Sequence, residues 1–484
     1  MPRLALLAIV LLTIFVRPGD TPWINDEPKL FHLALLCNSG SFADVGIHVP
    51  FTSATLGVMG LYGTRGARYG PVPVWIYQCF LLLTHDPVLM VQIHALLFGV
   101  IIAVSLDWLT STMEVNPWLA VVTMLSPWLW FYSRQLWDNS FCIPFSVLLL
   151  AAYASFLKTA KIWPLCVAAL AAGLLVLTHL MCLALLVPLL AHALLFRGRQ
   201  ILRRPLGLLA ALAVFAALQF LAWPYWKWMR MYYQSAVEAG RSPVAGYFYP
   251  LLGGHHLSAA GLGNLLGDNW QNAAPDSLSN VIYTAEYVSV LAYIAVWIGI
   301  FLAFRRARRV IRRQESSVAD HLAFIAIGAL IFQCLLDGTQ RVYEGPHYFN
   351  STWIAFAVLA YLAVNALPIR WQSLLLAVQA AALVTVLSCM IFIIAHNGGT
   401  LTPGWGTTIA QQADAVREIG NTPLVDGEIA QQPFDQWHSF PWEYDVLKAI
   451  INPQTPPKPG VQAQVAYQFH FVGDAHIEVD FYPD

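Results

Sequence analysis

Apolar runs of membrane-spanning length recur along most of this chain, and they constrain its fold more than any other feature. The hydrocarbon core of a bilayer is about 30 Å thick, so a crossing helix needs about 20 mostly apolar residues. Val88–Thr110, Ile282–Phe304 and Ser373–Ala395 reach that length. Only 11% of the 484 residues are charged, against roughly 25% in soluble domains. We therefore predict an all-α polytopic membrane protein.

The apolar runs predict about eleven membrane-spanning helices. The first run has the length of a signal-peptide core, but Arg17-Pro18-Gly19-Asp20 follows it instead of a small-residue cleavage site. We interpret it as an uncleaved helix. Tyr69–Thr84 is placed in the outer leaflet, because a crossing there would invert the preceding part of the chain. The predicted spans are Leu4–Val16, Val88–Thr110, Pro117–Tyr132, Ser140–Leu157, Ile162–Leu177, Leu180–Phe196, Leu206–Ala222, Ile282–Phe304, His321–Leu336, Trp353–Leu367 and Ser373–Ala395.

The basic residues predict the orientation, since Lys and Arg collect in cytoplasmic loops. With the spans above, all basic clusters fall on one side, and only the loop Ser111–Asn116 on that side lacks a basic residue. The N-terminus is then cytoplasmic and the C-terminus extracytoplasmic. The clusters are Lys158/Lys161, Arg197–Arg204 and Arg305–Arg313, with Arg3 and Arg370 alone.

The chain divides by composition into a transmembrane domain, residues 1–395, and a small acidic extracytoplasmic domain, residues 396–484. This tail holds eleven acidic and three basic residues. Ile409, Ala413, Val416 and Ile419 share one helical face. Val461–Phe471 and His476–Tyr482 alternate apolar and polar residues around a predicted hairpin turn, so we expect an α/β domain. It contains no catalytic constellation.

Two adjacent carboxylates, Asp26 and Glu27, follow the first membrane helix. Desolvation near the bilayer raises the pKa of a carboxylate and makes it a better base. The alternative is that one of them caps a helix beginning at Pro28, because Pro favours the first helical turn.

Arg134 and Asp138 lie in an aromatic corner at the end of an apolar helix. The planar guanidinium of Arg suits bidentate binding of phosphate. The alternative is an Arg–Asp pair within one helix, with Trp and Tyr as interfacial residues.

Arg341, His347 and Tyr348 lie at a later helix boundary on the same predicted face. The alternative is a polar loop whose tyrosine reaches the interface. His255 and His256 in the third outside loop are a fourth candidate; adjacent side chains point different ways, so we expect one ligand rather than two.

The order of these motifs resembles the multi-pass GT-C glycosyltransferases, in particular the protein O-mannosyltransferase and aminoarabinose transferase superfamily, over Leu4 to Leu367. The resemblance implies transfer of a sugar from a polyprenyl-phosphate carrier on the outer face. Asp26, with Glu27 beside it, matches the acidic residue of the first loop in that superfamily. Arg134 and Asp138 match its arginine-containing corner.

One departure concerns the metal of the aminoarabinose transferases, which a Glu, an Asp and a His surround. Tyr69 stands near the place of that Glu, before Gly70-Pro71, while Asp138 and one of His255 or His256 match the other two. The incomplete set argues against a divalent metal here. The seven cysteines, with no CxxC spacing, are interpreted as apolar packing residues.

We therefore expect an inverting glycosyltransferase with Asp26 as the base. The donor is a lipid-phosphate-linked sugar, and Arg134, Arg341 and His347 stabilise the departing phosphate. The expected partners are membrane lipid and an acceptor, which is a glycan, a lipid or a protein. We expect no nucleic-acid partner. A lipid or solute transporter without transferase activity is the first alternative, and a scaffold that displays the acidic tail is the second. One acceptable N-x-S/T site, at Asn350, favours a bacterial inner membrane over a secretory membrane.

Overall fold

The structure, a computed structural model, is mainly helical. It describes residues 1–21, 23, 26–42, 47–50, 52–60, 69–232, 251, 257, 276–338, 346–396, 408–425, 430–432, 440–469 and 475–483. The helices of the first half are α1 (Pro2–Phe15), α2 (Asp26–Asn38), α3 (Val72–Leu83), α4 (Pro87–Met113), α5 (Trp118–Met124), α6 (Pro127–Tyr132), α7 (Cys142–Thr159), α8 (Ile162–Val176), α9 (Leu183–Leu202), α10 (Pro205–Leu221) and α11 (Trp223–Tyr232). Those of the second half are α12 (Asp276–Ser289), α13 (Leu291–Ile311), α14 (Val318–Gly338), α15 (Trp353–Asn365), α16 (Ile369–His396), α17 (Ile409–Ile419) and α18 (Phe440–Ile451).

Six stretches of the described chain are long and apolar enough to cross a membrane. Five further apolar helices are shorter, with 10 to 17 residues, so the total of eleven crossings stays a prediction. Helix α3, within the predicted outer-leaflet segment, belongs to this shorter group. The six stretches are Pro87–Met113, Asp138–Thr159, Leu180–Leu202, Ser277–Ile311, Val318–Asp337 and Ile369–His396.

The predicted span Pro117–Tyr132 is broken into two short helices, α5 and α6. The break falls at Ser126-Pro127, because Pro lacks the amide hydrogen that would continue the helix and instead favours a first helical position. Ser133 ends α6, and the chain turns there toward α7. This break places Arg134 in a corner rather than on a continuous helix.

Helices α7 and α15 form the centre of the bundle. Nearly every side chain of both is buried, including Trp353, Phe356 and Val147. Helices that are apolar on all sides belong in the interior of a bundle or in lipid, and here the outer helices cover these two. Other helices leave large apolar side chains exposed, such as Phe220 and Leu206 of α10, as expected where lipid is the solvent.

The basic clusters share one end of the bundle. Lys158 Nζ pairs with Glu114 Oε1 at 2.8 Å. The loop Ser111–Asn116, which has no basic residue, therefore lies beside the cluster of Lys158 and Lys161. Asn116 Nδ2 donates to Gln372 Oε1 at 3.4 Å, beside Arg370. Ala160 shares a cavity with Arg197. The grouping of these loops agrees with the predicted sidedness; which membrane face they occupy stays a prediction.

At the opposite end, the segment after α1 and the segment before α3 carry small irregular elements. Strands β1 (Ile47–His48) and β2 (Thr55–Leu56) pair antiparallel, with Ile47 opposite Leu56. Gly70 lies against the backbone of Leu177, where a Cβ would come within 2.0 Å of the Leu177 carbonyl oxygen. The absence of a side chain at Gly70 therefore lets the residue before it reach the turn between α8 and α9.

The tail contains the predicted helix and the predicted hairpin. Ile409, Ala413, Val416 and Ile419 of α17 are all buried, so the predicted apolar face is confirmed. Strands β4 (Val461–Phe469) and β5 (Ala475–Pro483) pair antiparallel. The short strand β3 (Ala430–Gln432) lies parallel to β4, and this parallel pairing was not predicted. The boundary of a separate domain at residue 396 stays a prediction.

Candidate functional site

The buried guanidinium of Arg134 is the most unusual feature of the end opposite the basic clusters. Arg134 is 2% exposed, and its Nη2 donates to the backbone carbonyl of Arg17. Its guanidinium carbon lies 4.1 Å from the ring centre of Trp130. Nε and Nη1 have no hydrogen-bond partner among the described residues. Because buried donors are normally satisfied, this side chain is prepared to bind an acceptor.

Arg17 and Asp20 complete the charges around Arg134. Arg17 Nε donates to Asp20 Oδ2, and Arg17 adopts a left-handed conformation with φ of 49°. Burial raises the pKa of Asp20, while Arg17 and Arg134 act in the opposite direction. Burial lowers the pKa of Arg134 to about 9, so it stays cationic at neutral pH. Two guanidinium groups against one carboxylate leave a positive site.

Sequence reasoning missed Arg17 and Asp20. The segment Arg17-Pro18-Gly19-Asp20 was considered only as evidence against a cleavage site. Two opposite charges three residues apart, just beyond an apolar helix, are the signal that could have identified them.

Asp138 lies next to this corner, but it does not pair with Arg134. Asp138 is 1% exposed, and its Oδ1 accepts hydrogen bonds from the backbone nitrogen and Nδ2 of Asn139, at 2.7 and 3.3 Å. No ion pair joins Arg134 to Asp138, both of which the structure describes. The alternative of an Arg–Asp pair within one helix is therefore wrong.

Five aromatic rings join the corner to the late His-Tyr motif and to Tyr69. The ring centroid of Trp137 lies 4.6 Å from that of His347, and His347 lies 4.2 Å from Tyr348. Tyr348 lies 6.0 Å from His179, which in turn lies 3.9 Å from Tyr69. Segments more than 200 positions apart in the chain thus meet in one cluster. This agrees with the prediction that their motifs lie on the same face of the membrane.

His179 was not among the predicted site residues. It lies in the turn between α8 and α9, is 2% exposed, and accepts a hydrogen bond from the backbone nitrogen of Met181 through Nδ1, at 3.1 Å. Nε2 must then carry the ring proton, since burial lowers the His179 pKa to about 3. That donor has no partner in the described part of the chain. The polar pair Thr178-His179 between two apolar runs was the available signal.

His347 is neutral as well, because burial lowers its pKa to about 3. A neutral imidazole donates one hydrogen bond but carries no charge. The positive charge of this site therefore comes from the arginines, and His347 contributes orientation and a donor at most.

Asn350 holds the late motif to the corner. Its Oδ1 accepts from Trp128 Nε1 at 2.8 Å, and its Nδ2 donates to the carbonyl oxygen of Asn139 at 3.2 Å. Ser351 Oγ donates to the carbonyl oxygen of Met181 at 3.0 Å, beside His179. Asn350 and Ser351 are buried, so this N-x-S/T site serves packing rather than modification.

Asp26 and Glu27 open helix α2. The helix begins at Asp26 and not at Pro28, so the backbone of both residues lies in its first turn rather than ahead of it. Their side chains lie outside the described residues. Trp23, just before them, is 1% exposed, with its ring 5.1 Å from that of Phe31. The role of Asp26 as the base and the role of Glu27 as its neighbour stay predictions.

Arg341, His255 and His256 also lie outside the described residues. Within the described ranges, no group of three or more His, Cys, Asp or Glu side chains is arranged to hold a metal ion. Tyr69 packs on His179, and a phenol there is no substitute for a carboxylate ligand. Metal dependence stays a prediction, because His255 and His256 are not among the described residues.

No family model and no curated protein matches the sequence at a significant level. Solved structures do match. One is ArnT from Cupriavidus metallidurans bound to undecaprenyl phosphate, with a TM-score of 0.54 and 15% sequence identity, covering 96% of this chain and 92% of that one. The apo ArnT structure matches over the same extents with a TM-score of 0.51. The chain therefore has a GT-C-like fold, which it shares with these ArnT structures.

Proposed function

We propose that this chain, which has a GT-C-like fold, moves a sugar from a polyprenyl-phosphate carrier to an acceptor hydroxyl at the outer face of the membrane. The observation that carries the proposal is the buried, incompletely paired guanidinium of Arg134. It lies in the corner motif of the resemblance, three residues before Trp137, which contacts His347 of the late motif, and a structural neighbour of similar fold is bound to undecaprenyl phosphate.

The phosphate of the donor would lie against Arg134. Nε and Nη1, on different edges of the guanidinium, each offer a donor that no described residue takes up, and each can bind an oxygen of the donor phosphate. Arg17 adds positive charge, and Asp20 holds Arg17 in place. Negative charge on the phosphate grows as the sugar leaves, so fixed donors stabilise the transition state more than the ground state.

The aromatic cluster would hold the sugar. Tyr69, Trp137 and Tyr348 present ring faces and edges, which suit the apolar faces of a pyranose. The unpartnered Nε2–H of His179 would donate to a sugar hydroxyl or a phosphate oxygen. In this role it would offset the cost of burying a donor without a partner.

Asp26 would act as the base. Its carboxylate takes the proton of the acceptor hydroxyl as the acceptor oxygen forms a bond to the anomeric carbon. The bond from that carbon to the phosphate oxygen breaks, and its electron pair leaves with the polyprenyl phosphate. Attack opposite the leaving group inverts the anomeric centre. Glu27 would orient Asp26 or the loop.

The test is transfer by the purified full-length protein. Labelled polyprenyl-phosphate sugars are supplied one at a time in lipid nanodiscs, and native mass spectrometry of the purified protein identifies any co-bound carrier to guide the choice. With a membrane extract added as the source of acceptor, we expect the label to move from one carrier to an acceptor and free polyprenyl phosphate to appear. The transporter alternative predicts movement of an unchanged lipid between leaflets, so a flipped but intact donor would contradict transfer.

A further inference from the structure

A second group of cations lies at the basic end of the bundle, far from Arg134. A cavity of about 450 Å³ lies between the end of α9 and the start of α14, and Arg197, Arg199, Arg313 and His321 line it. A neighbouring cavity of about 680 Å³ shares Arg197 and Arg199 and adds Arg203 and Arg204. No Asp or Glu is among the described residues that line either cavity.

A buried chain of hydrogen bonds positions Arg197. Its Nη2 contacts His321 Nε2, His321 Nδ1 lies 2.8 Å from His192 Nε2, and His192 Nδ1 lies 2.9 Å from Tyr153 Oη. Arg can only donate, so His321 Nε2 accepts and its Nδ1 carries the proton. His192 then accepts at Nε2 and donates from Nδ1 to the tyrosine oxygen. Both imidazoles are neutral, so the chain positions Arg197 without neutralising it.

Two carboxylates lie near this cavity in the sequence: exposed Glu315, between the lining residues Gln314 and Ser316, and Asp320, which is already engaged. Asp320 accepts from Arg306 at 3.1 Å and from the backbone nitrogen of Ser317 at 2.9 Å, and Arg309 lies 3.8 Å away. Arg197 itself donates from Nη1 to the neutral Gln200 at 3.2 Å, while its Nε has no partner among the described residues. Since partly buried charges are normally paired, the site lacks an anion.

We propose that this cavity binds the phosphate group of an anionic phospholipid. The arginine fork suits phosphate oxygens. Leu194 and Leu195 line the same cavity and are 66% and 65% exposed, so an acyl chain attached to the phosphate has an apolar surface beside it. Arg197 lies fourteen residues after Leu183, where α9 begins near His179, a rise of about 21 Å along the helix, so the site is separate from the proposed sugar transfer.

The experiment uses the full-length protein in a zwitterionic detergent. Phosphatidylglycerol, phosphatidylcholine and inorganic phosphate are titrated separately, and bound lipid is counted by native mass spectrometry with the melting temperature as a second readout. The test variant is the double substitution Arg199→Gln/Arg313→Gln, because both side chains are exposed and leave the chain from Tyr153 to Arg197 intact. Arg305→Gln/Arg370→Gln is the matched control, since it removes two exposed arginines that line neither cavity.

We expect phosphatidylglycerol to bind and phosphatidylcholine not to bind, and the test variant to lose at least about tenfold in affinity for phosphatidylglycerol. The control variant should keep the wild-type affinity. Equal binding by the wild type and the test variant would overturn the proposal. If inorganic phosphate raises the melting temperature as much as phosphatidylglycerol does, the phosphate chemistry is right and the lipid assignment is wrong. Arg197→Gln should abolish binding where that variant folds.

Discussion

The side-chain amide of Gln412 donates to the backbone carbonyl oxygen of Trp23 at 3.0 Å, joining positions 389 residues apart. Ile409 adds a second link, from its backbone nitrogen to the carbonyl oxygen of Thr21 at 2.9 Å. Both Gln412 and Trp23 are 1% exposed. The tail helix α17 is thus bound to the segment that leads into Asp26. Through these contacts, the acidic tail helps to hold the proposed catalytic loop in position.

Gln412→Ala should loosen the segment before Asp26. The substitution leaves the Trp23 carbonyl buried without its side-chain donor, which costs about 1–3 kcal/mol locally. We expect faster amide hydrogen exchange from Trp23 to Phe31 and slower sugar transfer at matched membrane levels. Gln454→Ala is the control, because the side chain of exposed Gln454 donates to the nearby Asn452 carbonyl and to no other described residue. Unchanged exchange in Gln412→Ala would separate the tail from the loop.

Arg134→Ala should weaken donor binding more than Arg134→Lys. Lys keeps the positive charge but loses the paired donors of the guanidinium. A hydrogen bond to a charged group contributes about 1.5–3 kcal/mol, so Arg134→Ala should raise the Kd of the donor at least about tenfold. Equal donor Kd values for the wild type and Arg134→Ala would remove Arg134 from the site.

Asp26→Asn should reduce transfer by about 10²- to 10⁴-fold, the usual contribution of a general base. The amide is nearly isosteric but cannot accept the proton, so donor binding and membrane insertion should persist. Glu27→Gln should have a smaller effect. A purely structural role at the start of α2 predicts almost no loss, since Asn suits a helix N-terminus about as well as Asp. Near-wild-type transfer by Asp26→Asn would move the search for the base to Glu27, Asp138 and Glu344, which lies in the sequence between Arg341 and His347.

His179→Asn should isolate the role of the unpartnered donor. The Asn oxygen can still accept from the Met181 nitrogen, as Nδ1 does now, but no group replaces Nε2–H. We expect a normal melting temperature and slower transfer, with His179→Gln recovering part of the rate by restoring a donor. Because burial lowers the His179 pKa to about 3, the ratio of wild-type to variant rates should stay flat from pH 5 to 8. A ratio that changes with pH would mean that His179 titrates in this range.

Reporter fusions should place Arg204 and Arg313 in the cytoplasm and Ser277 and Asp484 outside. The reason is the collection of Lys and Arg in short loops at one end of the bundle. A phosphatase reporter and a β-galactosidase reporter are fused in turn at each position. The two report opposite sides of the membrane, so each position has its own control. A cytoplasmic Asp484 would invert the arrangement and place Asp26 on the wrong face for an outer-leaflet donor.

The sequence by itself determined that lipid surrounds most of this protein and that the protein is a bundle of membrane helices. Runs of apolar residues as long as the bilayer is thick can fold only as membrane helices, because backbone polar groups find no partner in lipid. It also determined local elements whose pattern repeats within a few residues, such as the buried face of α17 and the hairpin of β4 and β5. The grouping of Arg134 with His347 followed from the sidedness of their loops alone.

The tertiary structure decided which of the polar residues meet. Nothing local in the sequence places Arg17 beside Arg134, His179 beside Tyr69, or Gln412 beside Trp23, because each contact depends on how distant helices pack. The same holds for Arg197 and His321, which sequence reasoning treated as a basic loop and an apolar helix end. A side chain's partners and burial are set by neighbours far away in the chain, and these fix whether a charge is neutralised or left ready for a ligand.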